Sequence, residues 1–66
     1  MLPQGVTLTH QRHFQYHIQF AVPVEVYRNN EFVAIGVMTA ADDSFVELEG
    51  TLFNRSLFTF FSRPGY

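Results

Sequence analysis

Between residues 22 and 48 polar and apolar positions alternate in short runs separated by turn residues. Val22, Val24 and Val26 alternate with Pro23, Glu25 and Tyr27, a period of two that places the valines on one face of a strand. Phe32 to Ala41 is almost continuously apolar with Gly36 inside it, and an interior glycine marks a bend or a close backbone approach. From Phe45 to Glu49, Val46 and Leu48 take one face and Phe45, Glu47 and Glu49 the other. Asn29-Asn30 reads as a hairpin turn because asparagine tolerates the left-handed conformation. Asp42-Asp43-Ser44 reads as a second turn, its short side chains bonding the local backbone. Gly50 breaks the third run, and Thr51–Phe53 and Leu57–Ser62 supply the last strand-like pieces before Arg63-Pro64-Gly65. A long bent strand between shorter ones suits a small barrel, and about five short strands predict an all-β, five-stranded barrel.

Residues 1–9, with Pro3 and Gly5, read as a loose arm, and residues 10–66 as a single domain. The stretch from His10 to Ala21 admits a strand or a short helix. Phe14, Tyr16, Ile18 and Phe20 alternate with Gln15, His17 and Gln19, and the alternation continues into the valines. A strand accommodates all of these apolar positions. A helical stripe through Phe14, Ile18 and Ala21 leaves Tyr16 and Phe20 off it, so the pattern favours a strand.

Composition sharpens the picture at two points. Sixty-six residues lie near the lower limit for independent folding, and the absence of cysteine excludes disulfides and thiolate metal sites. With 47% apolar residues, including eight Phe and three Tyr, self-association is the expected staple. The net charge of −2, with four arginines and no lysine, lacks the basic surplus of a protein that grips nucleic acid mainly through phosphates. No apolar run approaches the roughly 18 residues of a membrane helix, and the start of the chain lacks the charged and apolar regions of a signal peptide. A cytoplasmic location is the expectation.

Chemistry-bearing clusters are sparse. His10, His13 and His17 would share a helical face, but histidines in a polar arm are usually solvated, and no metal or other cofactor is expected. Asp42 and Asp43 are more simply turn caps than an acid–base pair. Without a nucleophile–base pair, phosphate loop or metal motif, the chain does not read as an enzyme.

Several features together resemble the Sm-like family, most closely its bacterial RNA-chaperone branch, Hfq. Val22-Pro23-Val24-Glu25-Val26-Tyr27 is similar to the family's first strand, Asn29-Asn30 to its first turn, Gly36 to its bend glycine and Asp42 to its loop aspartate. Phe53-Asn54-Arg55-Ser56-Leu57 through Phe61 resembles its closing motif and last strand, so the likeness spans residues 22–63. The resemblance implies a strongly bent five-stranded, SH3-like barrel that assembles with copies of itself into a ring of roughly five to seven subunits. It places Leu57, Phe58, Phe60 and Phe61 at the oligomer interface. It also implies single-stranded RNA as a partner, bound on a pore side through Ser44, Phe45, Asn54 and Arg55 and on the opposite face through Tyr27 and Phe32. Base stacking needs no basic surface.

Departures from the family run alongside. The loop position that carries an aromatic in uridine-binding members is Ser44, with Phe45 one residue late, and Asn54-Arg55 replace a lysine–histidine pair. An N-terminal helix is normal in the family, against the strand favoured by periodicity. The alternative function is a structural or protein-binding ring that has lost RNA binding.

Overall fold

In the computed structural model, residues 6–64 are described. One helix, α1 (Gln11–Gln19), precedes six strands: β1 (Val24–Arg28), β2 (Glu31–Gly36), β3 (Met38–Ala41), β4 (Phe45–Leu48), β5 (Thr51–Asn54) and β6 (Thr59–Ser62). They form two three-stranded antiparallel sheets, ordered β2-β1-β6 and β3-β4-β5.

The helix overturns the strand favoured for residues 10–21. Alternation treated Tyr16 and Phe20 as inward residues, but they are 50% and 59% exposed. Their rings lie 4.7 Å apart on the outer surface, the i,i+4 spacing that brings helical neighbours together. Phe14 and His17 turn inward instead. After Gln19 the chain stops in a Schellman arrangement: Val22 N–H donates to the His17 carbonyl and Ala21 N–H to that of Ile18, with Ala21 at φ 52°. This closing geometry satisfies the last carbonyls and ordinarily takes glycine at the left-handed position, followed shortly by a proline such as Pro23.

Both tight hairpins are two-residue turns with positive φ at each central position. Asn29 and Asn30, at 51° and 65°, join the paired Arg28 and Glu31, and Glu49 and Gly50, at 50° and 87°, join Leu48 and Thr51. Such turns match the twist of the flanking strands. The Asn-Asn turn agrees with the sequence reading. The Asp42 turn also forms as expected, Oδ1 accepting the Ser44 and Phe45 N–H groups at 2.8 Å each.

The apolar run from Phe32 to Ala41 is divided at Val37, where the chain leaves one sheet for the other. Gly36 is buried beside this passage, and a Cβ there would lie 2.5 Å from Glu49 Oε2. The close approach is to a flexible carboxylate rather than to backbone.

Between the sheets and the helix lies a core of Leu8, Phe14, Val24, Val26, Met38, Val46, Leu48, Phe53 and Phe60. Leu8 is the unexpected member. From Val6 onward the arm expected to be loose is docked: Leu8 N–H donates to the Phe60 carbonyl and Ser62 N–H to that of Val6. Residues 1–5 of that arm, and Gly65 and Tyr66, fall outside the described residues. Among the described residues no helix is long and apolar enough to cross a membrane.

Candidate functional site: two aromatic faces

The outer face of the first sheet carries a cluster of three aromatic rings. Along β1, Val24 and Val26 are fully buried while Glu25 and Tyr27 point outward, and along β6 Phe60 and Ser62 are buried while Phe61 points outward. Tyr27 meets Phe61 edge-on with centroids 5.2 Å apart, and Phe32, its partner on β2, at 5.8 Å. Phe32 is 54% exposed. Glu25, Asn30 and Thr59 complete the walls of a cavity of about 380 Å³ beside Tyr27 and Phe61, within the range of small-ligand sites. At its rim Arg63 Nε approaches Glu25 Oε2 at 3.4 Å. Tyr27 and Phe32, which the family resemblance places on one face, are neighbours here.

The second group gathers where β4 and β5 pair. Phe45 lies opposite Asn54, and Arg55 N–H donates to the Ser44 carbonyl at 2.8 Å. All four residues expected on a pore side are therefore neighbours, yet two are occupied internally. Asn54 Oδ1 accepts the backbone N–H and the hydroxyl of Ser56 at 2.8 and 2.7 Å, holding the turn into Leu57. The Arg55 guanidinium lies over the Phe14 ring at 4.1 Å, donates to Gln11 Oε1 at 2.5 Å and donates to the Asp42 carbonyl. It ties the helix to the Asp42 turn and β5, rather than standing as an isolated surface cation. Asp42 is held below its ordinary value of 3.8 by the N–H groups of Phe45 and Ser44, with a smaller contribution from Arg55.

The residues expected at an oligomer interface divide. Leu57 is 55% exposed, whereas Phe60 is 2% exposed and packs edge-on to Phe14, so it belongs to the chain's own core. Phe58 is half-buried against Phe53. Phe61 belongs to the outer aromatic face. The reason for the correction is the two-residue period of β6, which cannot place adjacent phenylalanines on one side.

Among the histidines, His10 and His13 face each other at 5.2 Å, but His17 is 3% exposed and points elsewhere. Its Nδ1 lies 2.7 Å from the His13 carbonyl and its Nε2 2.7 Å from Ser62 Oγ. A carbonyl only accepts, so Nδ1 carries the hydrogen. In the neutral ring Nε2 then accepts from the Ser62 hydroxyl. The contact resembles a base and its nucleophile, but Ser62 is completely buried, leaving a substrate no approach. It pins helix to sheet. Among the described residues no three metal-ligating side chains come together.

Sequence reasoning missed Phe61 as a partner of Tyr27, although alternation along β6 would have found it once Phe60 was assigned inward. It also missed the His17–Ser62 contact, for which two residues 45 positions apart leave no local signal. None of the family models, curated proteins or solved structures compared with the chain matches it.

Proposed function

We propose that this chain is a subunit of an Sm-like ring that binds single-stranded RNA by stacking bases on the outer face of Tyr27, Phe32 and Phe61. The observation carrying the proposal is the aromatic face itself: Tyr27 meets both Phe32 and Phe61 edge-on, and Tyr27 and Phe61 line a cavity of about 380 Å³. Stacking contributes about 1–3 kcal/mol per base and is compatible with a chain of net charge −2. Further support comes from element order. A helix is followed by strand segments that reduce to five if β2 and β3, separated only by Val37, are counted as one bent strand, as in an Sm-like barrel. The occupied guanidinium of Arg55 favours this face over the Ser44–Arg55 end as the main RNA contact.

The test is fluorescence anisotropy with labelled A-rich and U-rich oligonucleotides at low salt, on a sample whose mass is measured by light scattering. Binding of at least one of the two strands is expected, weakened about 5- to 150-fold by Tyr27→Ala or Phe32→Ala. A ring that binds neither oligonucleotide would overturn the proposal.

The second reading, a protein-binding ring without RNA chemistry, is favoured by the absence of lysine and by the internal use of Asn54 and Arg55. Under it a pull-down yields one dominant protein, and ribonuclease leaves the capture unchanged.

A further inference from the structure

Each sheet has two edge strands, and the edges formed by β5 and β6 are unlike. Among the described residues β5 pairs with β4 alone, and Leu52 upon it is 63% exposed. The far edge of β6, in contrast, is taken by the segment preceding the helix. Leu8 N–H donates to the Phe60 carbonyl at 2.9 Å and Ser62 N–H to the Val6 carbonyl at 2.8 Å. Thr7 sits antiparallel opposite Phe61 between these bonds. Leu8 is anchored in the core at 5% exposure.

We infer that residues 6–8 are a strap over the β6 edge, occupying the place where β5 of a second copy would dock, so that self-association requires the strap to leave. This rests on the ring reading above. The physical basis is exclusion. Phe60's outward carbonyl and Ser62's outward N–H, engaged by the strap, cannot simultaneously form a ladder with another strand. Unpaired strand edges recruit other chains, and proteins commonly protect them by covering. The exposed β5 edge and the covered β6 edge are different surfaces, so joining one to the other is a head-to-tail contact, the kind that closes into rings. The partner is therefore another copy of this chain, and the strap sets the concentration at which copies join.

Cysteine is absent from the chain, which allows the strap to be locked in place. Thr7 and Phe61 form the non-hydrogen-bonded type of antiparallel pair, whose Cα separation of about 4.5 Å lies within disulfide reach. The Thr7→Cys, Phe61→Cys double variant is compared oxidised and reduced by light scattering over a dilution series. A chain lacking residues 1–8 is followed in parallel, and circular dichroism checks folding. The double variant keeps Leu8, so it remains informative where the truncated chain fails to fold.

The reduced double variant sets the reference, and oxidation is expected to abolish the association that the reduced form shows, at every concentration of the series. Truncation, where the chain folds, moves the midpoint of association to lower concentration. Equal association of oxidised and reduced forms overturns the strap while leaving assembly through another surface. A folded monomer in every form, truncated chain included, overturns the ring and the strap with it.

Discussion

Replacing Arg55 by alanine distinguishes a clamp from a surface charge. In the folded chain the guanidinium covers the ring of Phe14, which is 2% exposed, at 4.1 Å, and donates to Gln11 and to the Asp42 carbonyl. Arg55→Ala removes a cation–π contact of about 0.5–1 kcal/mol. It also uncovers part of a buried ring, about 1 kcal/mol for some 40 Å² of apolar surface. The two charged hydrogen bonds are discounted to about 1 kcal/mol together, because the side chain is part-exposed and water replaces them. The sum is about 2.5–3 kcal/mol, against about 0–1 kcal/mol for an exposed ion pair. A domain of this size has about 3–10 kcal/mol in all, so the loss is a large share.

Urea unfolding followed by circular dichroism at one fixed protein concentration measures it. With a slope of about 1 kcal/mol/M, the midpoint falls by about 2–3 M. Arg55→Met, which keeps the stem over Phe14, should recover roughly half of the loss. A cost below about 1 kcal/mol for Arg55→Ala at unchanged slope would refute the clamp. An Arg55→Ala protein that retains folding but loses RNA would return the residue to the RNA contact set.

Three further outcomes follow from the geometry. Ser62→Ala strands the buried acceptor of His17, at a cost of about 1–3 kcal/mol. Thermal melting should drop by about 4–8 °C per kcal/mol, and a loss under 2 °C, equivalent to less than about 0.5 kcal/mol, would show that the hydrogen bond contributes nothing. Ala21→Gly should raise stability by about 0.5–1 kcal/mol, since relief of the left-handed strain at φ 52° exceeds the added chain entropy; a lower melting temperature would contradict the assignment of that strain. The folded value of Asp42 is depressed, so its contribution is fully present above the ordinary value of 3.8 and is lost as pH falls through the lower folded value. Asp42→Asn should flatten the acid limb of a stability–pH curve, and an unchanged limb would assign it to other carboxylates.

Much of the strand content and both polar turns were legible in the sequence because their causes are local. The single bent strand expected over Phe32–Ala41 is instead two strands in different sheets, and the two sheets do not close into the expected five-stranded barrel. Period-two alternation assigned Val24, Val26, Val46 and Leu48 inward, and the left-handed tolerance of asparagine placed the first hairpin. Residues 11–19 were not legible, because a strand and a helix both fit the amino acids there. The choice fell to packing: Phe14 and His17 find Phe60 and Ser62 across the molecule, and solvent takes Tyr16 and Phe20.

The same distinction separates the fates of the charged and edge residues. An arginine preceded by an asparagine carries no mark of whether it will face RNA, a carboxylate or a ring. Only the packing of the helix onto the sheets put Phe14 beneath Arg55. Nor did residues 6–8 announce a strand, since two hydrogen bonds to β6 impose no periodicity on so short a segment. Local conformational preference and the inward or outward sense of each strand were written along the chain. Which side chain meets which, and which edge stays open, depended on contacts between distant segments that exist only after the helix and both sheets have come together.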